Sequence, residues 1–184
     1  RRAVDAYATS DAALAAALDD MDDALDSLQA EYVQAIMRAN ESAHVPLNTA
    51  VQLALVGRYY ERIGDHAENI MYLAVNKMES GEGFTESAAV ELDELSDTVF
   101  EMYGGIVEAF ETQDSDAAGN FQNLEHLVDE MASRFRDNHL KRLNRGECNG
   151  TVGVIYLDTL SNLERVGDLA NNVGHVTTGE LQKL

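Results

Sequence analysis

Carboxylates four residues apart are the feature of this sequence most able to do chemistry. Asp22 and Asp26, Glu61 and Asp65, Glu125 and Asp129, and Glu164 and Asp168 each form an i,i+4 pair. On a helix that spacing sets both carboxylates on one face, one turn apart. A lone pair means little, because 33 acids in 184 residues give about six such pairs by chance. These four stand out because they repeat at an offset of 103 residues, residue 61 falling on residue 164. Asp22 and Asp26 map onto Glu125 and Asp129, and Glu61 and Asp65 onto Glu164 and Asp168. If each half folds as an antiparallel helical hairpin, its two pairs meet across the seam and gather four carboxylates.

Such a quartet needs compensation, since like charges on a helix face repel. Two remedies are open. Arg62 and Arg165 each follow the first acid of a pair and offer salt bridges on a solvated acidic face. A metal ion is the other remedy. An all-oxygen site suits hard cations such as Mg²⁺ or Mn²⁺, and carboxylate-rich helical bundles also hold iron. Asn69 and Asn172 continue the same face one turn on. His66 and His126 adjoin Asp65 and Glu125 but do not recur, their counterparts being Leu169 and Asp23. They read as accessory ligands or as ordinary surface histidines.

The elements that must carry these groups are helical. Leu14, Leu18, Met21, Leu25, Leu28 and Tyr32 recur at steps of three and four. The periodicity predicts helices over about 12–41, 47–79, 86–112, 115–144 and 150–177. Thr9, Ser10 and Asp11 are capping residues for the first, Pro46 opens the second, and Thr85 or Ser87 caps the third. Ser80-Gly81-Glu82-Gly83 and Asn144-Arg145-Gly146 are stops. No segment alternates as a strand would, so the expected fold is all-α.

The repeat extends well beyond the acids. VDAYATSD at 4–11 matches VEAFETQD at 107–114, and ERIGDHAENI at 61–70 matches ERVGDLANNV at 164–173, with no gap. The counterpart of 86–103 would precede residue 1. The chain thus divides into a first repeat over 1–80, a hairpin with the tail of a third helix, and a three-helix repeat over 84–184. A helix upstream in a longer parent, or a partner chain, fills the missing place. Gly64 and Gly167 sit inside helices at a cost of about 1 kcal/mol each relative to Ala, which close helix approach would repay.

Composition narrows the function. A net charge of −20 disfavours nucleic acid and anionic membranes. Hydrophobic residues at 45% mark a globular chain rather than a disordered one. The single Cys148 excludes an intrachain disulfide and a cysteine-based zinc site, and a loop position without a neighbouring base argues against a reactive thiol. Apolar runs such as 50–57 are too short for a bilayer, and Arg1-Arg2 leads into no signal-peptide core. Lysine occurs only at 77, 141 and 183. Many acids with few lysines suit either a halophilic protein or an ordinary acidic surface.

ERIGDHAENI and ERVGDLANNV, with DDALD at 22–26, EHLVD at 125–129 and RDNHLKRLNRGEC before the last helix, resemble the PhoU family of phosphate-signalling regulators. The likeness runs along nearly the whole chain, departing where the first helix is nearly absent and where Leu169 replaces the histidine of the first copy. It implies two three-helix bundles side by side. It implies multinuclear iron or zinc clusters held by Asp22, Asp26, Glu61, Asp65, Glu125, Asp129, Glu164 and Asp168. It implies no catalysis, but a cytoplasmic regulator, a homodimer among its forms, that acts on a phosphate ABC transporter and a sensor histidine kinase. Three alternatives stand beside it. One is a PhoU-like regulatory domain of a larger protein, such as a sodium–phosphate cotransporter or a DNA-binding fusion. Another is a metal-free helical adaptor. The third, a di-iron carboxylate enzyme, needs paired Glu-x-x-His motifs, and only Glu41 to His44 has that spacing.

Overall fold

The computed structural model describes residues 12–42, 44–112 and 118–177, with side chains for all of these except 12–22, 110, 118, 119 and 177. They form five helices: α1 (Ala12–Glu41), α2 (Leu47–Ser80), α3 (Glu86–Thr112), α4 (Ala118–Asn144) and α5 (Gly150–Thr177). No strand occurs among the described residues, so the all-α expectation holds. The expected limits of α1, α2, α3 and α5 agree to within about a residue. The caps at Thr9–Asp11 and the expected start of α4 near 115 lie outside the described residues.

Local chemistry sets the ends. Pro46, at φ −60 and ψ 150, opens α2, and Gly81 closes it at φ 68, where its N–H donates to the Met78 carbonyl at 3.1 Å. The Thr85 hydroxyl accepts the Ala88 N–H at 3.3 Å, and Asn149 Oδ1 accepts the Val152 N–H at 2.9 Å, so both cap the helices that follow them. Gly146 ends α4 at φ 68.

Helices α2 and α5 run antiparallel through the centre. Val56, early in α2, clusters with Ala170 and Val173, late in α5, while Ile70 and Ala74 cluster with Ile155 and Leu160. Since α2 and α5 carry the two copies of the repeated motif, this seam relates the halves by a pseudo-twofold. Helix α1 packs on the far side of α2, and α3 and α4 pack on α5. Leu92, Leu95, Val99, Met102, Ile106 and Ala109 give α3 an apolar stripe at steps of three and four, all of it buried. The second repeat is therefore a closed three-helix bundle, to which α2 adds Ile70 and Ala74.

Among the described residues the first hairpin is open on one side. Leu25, Leu28 and Tyr32 of α1 and Val56, Gly57 and Tyr60 of α2 line an apolar groove of about 370 Å³. Their counterparts at the repeat offset are Val128, Met131, Phe135, Thr159, Leu160 and Leu163, all buried in the second bundle. Leu28 is 61% exposed against 7% for Met131. The difference is α3, which has no equivalent over α1 and α2 among the described residues.

Candidate metal centre

In each hairpin acids of the two helices lie within reach of each other's charge, but among the described residues no set of three from both helices closes to within 4.8 Å. In the first, Asp26 of α1 and Asp65 of α2 both act on Glu61 of α2. Burial, then Asp65, pushes the Glu61 carboxyl above the ordinary carboxylate range; Arg58 opposes the shift and Asp26 adds to it. Glu61 Oε1 accepts from Arg58 Nη1 at 3.1 Å. Glu61 Oε2 is buried and has no hydrogen-bond partner among the described residues. Asp22 stands one turn before Asp26 on α1; its side chain lies outside the described residues.

In the second hairpin Asp129 of α4 lies in the field of Glu164 and Asp168 of α5, while Glu125 stands one turn before it on α4. Burial, then Asp168 and Glu164, raises the Asp129 carboxyl, against the pull of His126 and Arg136. Among the described residues one triad of potential ligands closes to within 4.8 Å: Glu125, His126 and Asp129. His126 is exposed, its Nδ1 3.5 Å from Glu125 Oε2.

Arginines partly offset each quartet, and not only those the spacing suggested. Arg165 does pair, donating to Asp168 Oδ2 at 2.9 Å. Glu61 takes its ion pair from Arg58, one turn before it, while Arg62 reaches it only through its field. Glu164 is clamped from the opposite helix by Arg136, whose Nη2 donates to Oε2 and whose Nη1 lies 3.5 Å from Oε1. The same Nη2 donates to Ser161 Oγ at 3.3 Å. Arg136 has no basic counterpart in the first repeat, where Val33 stands in its place.

Other expected residues find plainer roles. His66 is half-buried and donates from Nδ1 to Asn162 Oδ1 at 2.9 Å, tying α2 to α5. Gly167 does admit a close neighbour, but a side chain rather than backbone: a Cβ there would sit 3.2 Å from Val128 Cγ1. Asn69 and Asn172 lie one turn beyond the acids on α2 and α5, exposed and half-buried. Glu41 ends α1, and His44 lies past it with Nδ1 2.7 Å from Ser42 Oγ, so this spacing presents no helical Glu-x-x-His face.

A second polar cluster was not foreseen. Glu91 of α3 is buried and accepts four hydrogen bonds: Asn138 Nδ2 at 2.9 Å, Arg142 Nη1 at 3.0 Å, Arg142 Nη2 at 2.7 Å and the Tyr156 hydroxyl at 2.5 Å. Burial works against its charge, but the bonds from Arg142, Tyr156 and Asn138 win and hold its carboxyl below the ordinary range. Burial and then Glu91 push the Tyr156 phenol up. His139 stacks on Tyr156 with centroids 4.7 Å apart, fully buried, both ring nitrogens without partners. Burial and the Arg142 charge lower its pKa. Cys148 lines a small void beside His139 and Arg142. The signal available in the sequence was positional: Ile36, Ala39 and Leu53 occupy these places in the first repeat, where the second has His139, Arg142 and Tyr156.

Known proteins place this geometry. A family model described as "PhoU domain" matches residues 1–74 and again 92–177. The "Phosphate-specific transport system accessory protein PhoU homolog 1" of Thermotoga maritima is 26% identical over 193 aligned positions, covering 98% of this chain and 80% of that protein. The crystal structure of PhoU from Pseudomonas aeruginosa superposes with a TM-score of 0.89 at 21% identity, covering 100% of this chain and 88% of the other. The phosphate transport system regulatory protein PhoU from Streptococcus pneumoniae does so at 0.87 and 17%, covering 100% and 86%. The family model falls twice on the chain and takes in both acidic quartets, and the folds agree over its whole length: the chain belongs to the PhoU family.

Proposed function

We propose that this chain is a metal-binding regulator of phosphate uptake and phosphate-starvation signalling. It acts by contact with other proteins, a phosphate ABC transporter and a sensor histidine kinase at the cytoplasmic face of the membrane. No described helix is long and apolar enough to cross that membrane itself. The observation that carries the reading is the recurrence of one acidic quartet in both halves of a chain that the PhoU model matches twice. The named role of the Thermotoga relative, accessory to phosphate-specific transport, supports the phosphate part.

The chemistry of the donors supports a metal. Glu61 keeps a buried oxygen without a partner, Glu61 and Asp129 each lie in the field of two further carboxylates, and Glu125, His126 and Asp129 bring three donor atoms within 4.8 Å of one another. Asp22, Asp26, Glu61 and Asp65 would hold one centre, and Glu125, Asp129, Glu164 and Asp168 the other, as iron or zinc clusters or as simpler Mg²⁺ or Mn²⁺ sites. A bound cation would neutralise the facing carboxylates and tie the two helices of each hairpin together. The test replaces Glu61, Asp65, Glu164 and Asp168 with Ala. Elemental analysis of the purified chain should show its metal lost, and cells carrying the variant should no longer restrain phosphate uptake. Unchanged metal content defeats the metal reading, and unchanged control of uptake defeats the regulatory one.

A further inference from the structure

We propose that Cys148 is a site of reversible oxidation by hydrogen peroxide, and that the small void beside it seats the oxygen of the sulfenic acid that forms.

Three buried nitrogens meet at that void with nothing to bond. His139 Nδ1, His139 Nε2 and Arg142 Nε have no hydrogen-bond partner among the described residues, and the two residues are 2% and 6% exposed. Both line a void of about 10 Å³, as do Cys148 and Gly153. That is room for about one water-sized group. Arg142 directs Nη1 and Nη2 at Glu91, so Nε is the donor left over. A Cβ at Gly153 would meet His139 Nε2 at 2.8 Å and Cε1 at 3.3 Å, so the glycine gives that edge of the ring its space. Buried polar atoms are ordinarily paired, and three on one void point to a group that accepts from Arg142 and bonds His139. The expectation that Cys148 has no base beside it therefore fails. The turn at Gly146, closed by the Glu147 N–H donating to the Arg142 carbonyl at 3.0 Å, brings residue 148 back against the end of α4. The duplication supplies a control. Where the second repeat has His139, Arg142, Cys148 and Gly153, the first has Ile36, Ala39, Val45 and Ala50, so thiol, base, cation and glycine occur together or not at all.

A sulfenic acid meets these requirements. Attack of the sulfur on peroxide forms one S–O bond and breaks the O–O bond. The sulfur gives up two electrons, the peroxide takes them, and the departing hydroxide gains the thiol proton and leaves as water. His139, kept neutral by burial and by the Arg142 charge, is the base on the path of that proton. The new oxygen accepts from Arg142 Nε, and its hydrogen is donated to a His139 nitrogen. Cys148 is half-buried, so peroxide reaches the sulfur from solvent. It is the single cysteine of the chain, so no second thiol of the same chain consumes the sulfenic acid, and a small external thiol restores it.

The test treats the purified whole chain with hydrogen peroxide and traps sulfenic acid with dimedone, read by mass spectrometry. The folded protein should gain one adduct, at Cys148, about tenfold or more faster than the same chain unfolded in urea. H139I, which installs the residue of the first repeat, should slow the folded protein to near the unfolded rate. H139Q, which keeps a polar side chain but no base, should slow it likewise and guards against misfolding of H139I. Because the oxygen gives buried nitrogens their partners, the oxidised chain should melt no lower than the reduced one. A folded rate at or below the unfolded rate overturns the proposal, as does oxidation that passes to sulfinic acid without an adduct. Rates indifferent to both His139 variants overturn it too. So does an oxidised chain that melts lower than the reduced one, since the void would then have no place for the oxygen.

Discussion

Replacing Glu91 with Ala is the sharpest test of what holds α3 in the second bundle. Glu91 and Arg142 are a buried ion pair, their side chains 11% and 8% exposed. The change deletes the acceptor of four hydrogen bonds and leaves Arg142 charged with its main partner gone. Its Nε already lacks a partner, and the Tyr156 ring, 5.3 Å from the guanidinium carbon, is a poor substitute for a carboxylate. Removing one partner of a buried pair costs about 3–5 kcal/mol. At roughly 2–4 °C per kcal/mol for a chain of this size, the melting midpoint should fall by about 6–20 °C. Glu91→Gln keeps the shape but not the charge, and should fall between wild type and Glu91→Ala. The double variant Glu91→Leu with Arg142→Met removes both charges and should recover most of the loss, because a buried pair contributes little beyond well-packed apolar groups. Urea and thermal unfolding of the four proteins measure this. A Glu91→Ala protein within about 1 kcal/mol of wild type refutes the reasoning. So does a double variant as unstable as the single.

The acid limb of stability should come in two stages. His139 is neutral in the fold and its pKa lies below the ordinary 6.5, so the unfolded chain binds its proton first and stability drops as pH falls below about 6.5. Glu91, also depressed, contributes fully above its ordinary 4.5 and loses that contribution only as pH falls further. His139→Ile, the residue of the first repeat, should flatten the upper stage in pH-dependent melting and leave the lower. Leu28→Ala should cost under about 1 kcal/mol because Leu28 lies in the open groove, whereas Met131→Ala, its buried counterpart, should cost about 2–4; equal losses in urea unfolding would mean the groove is covered. A halophilic chain of net charge −20 should melt higher in about 1 M salt than in 0.1 M, where the screening length is near 10 Å rather than 3 Å. A midpoint indifferent to salt removes that reading.

The helices and the acidic faces were legible because both are periodic. A stripe at steps of three and four survives any later packing, and an acid pair one turn apart stays on one face whatever lies opposite. The exact offset of 103 residues then aligned the pairs of one hairpin with those of the other. Not all the partners of those acids were legible. Arg58 meets Glu61 at the i,i+3 spacing of one helix and could have been read from the sequence, but the cross-helix partners could not. Arg136 meets Glu164 across 28 residues, and Arg142 meets Glu91 across 51, from separate helices. Such pairings depend on how helices pack, and helical period carries no trace of that.

The polar network also follows from α3, the one helix without a counterpart among the described residues. Ile36, Ala39, Ala50 and Leu53 serve the first hairpin where the second has His139, Arg142, Gly153 and Tyr156. A helical hairpin alone needs no charge at these places, since apolar residues pack them in α1 and α2. What the second bundle adds is α3, and α3 brings Glu91. A carboxylate on an otherwise apolar stripe can be buried in only one register, the one that sets it against Arg142, Asn138 and Tyr156. A slide of α3 by one turn would strand that charge among the apolar side chains of the core, at a cost of several kcal/mol. The network thus selects the position of α3 more than it stabilises the bundle. Gly153 belongs to the same device, for a Cβ there would meet His139 Nε2 at 2.8 Å, whereas the first repeat has Ala50 and Ile36 at the corresponding places. Divergence between the halves has fallen on the fixing of α3 and on the arginines beside the acids, while the paired carboxylates have stayed the same in kind.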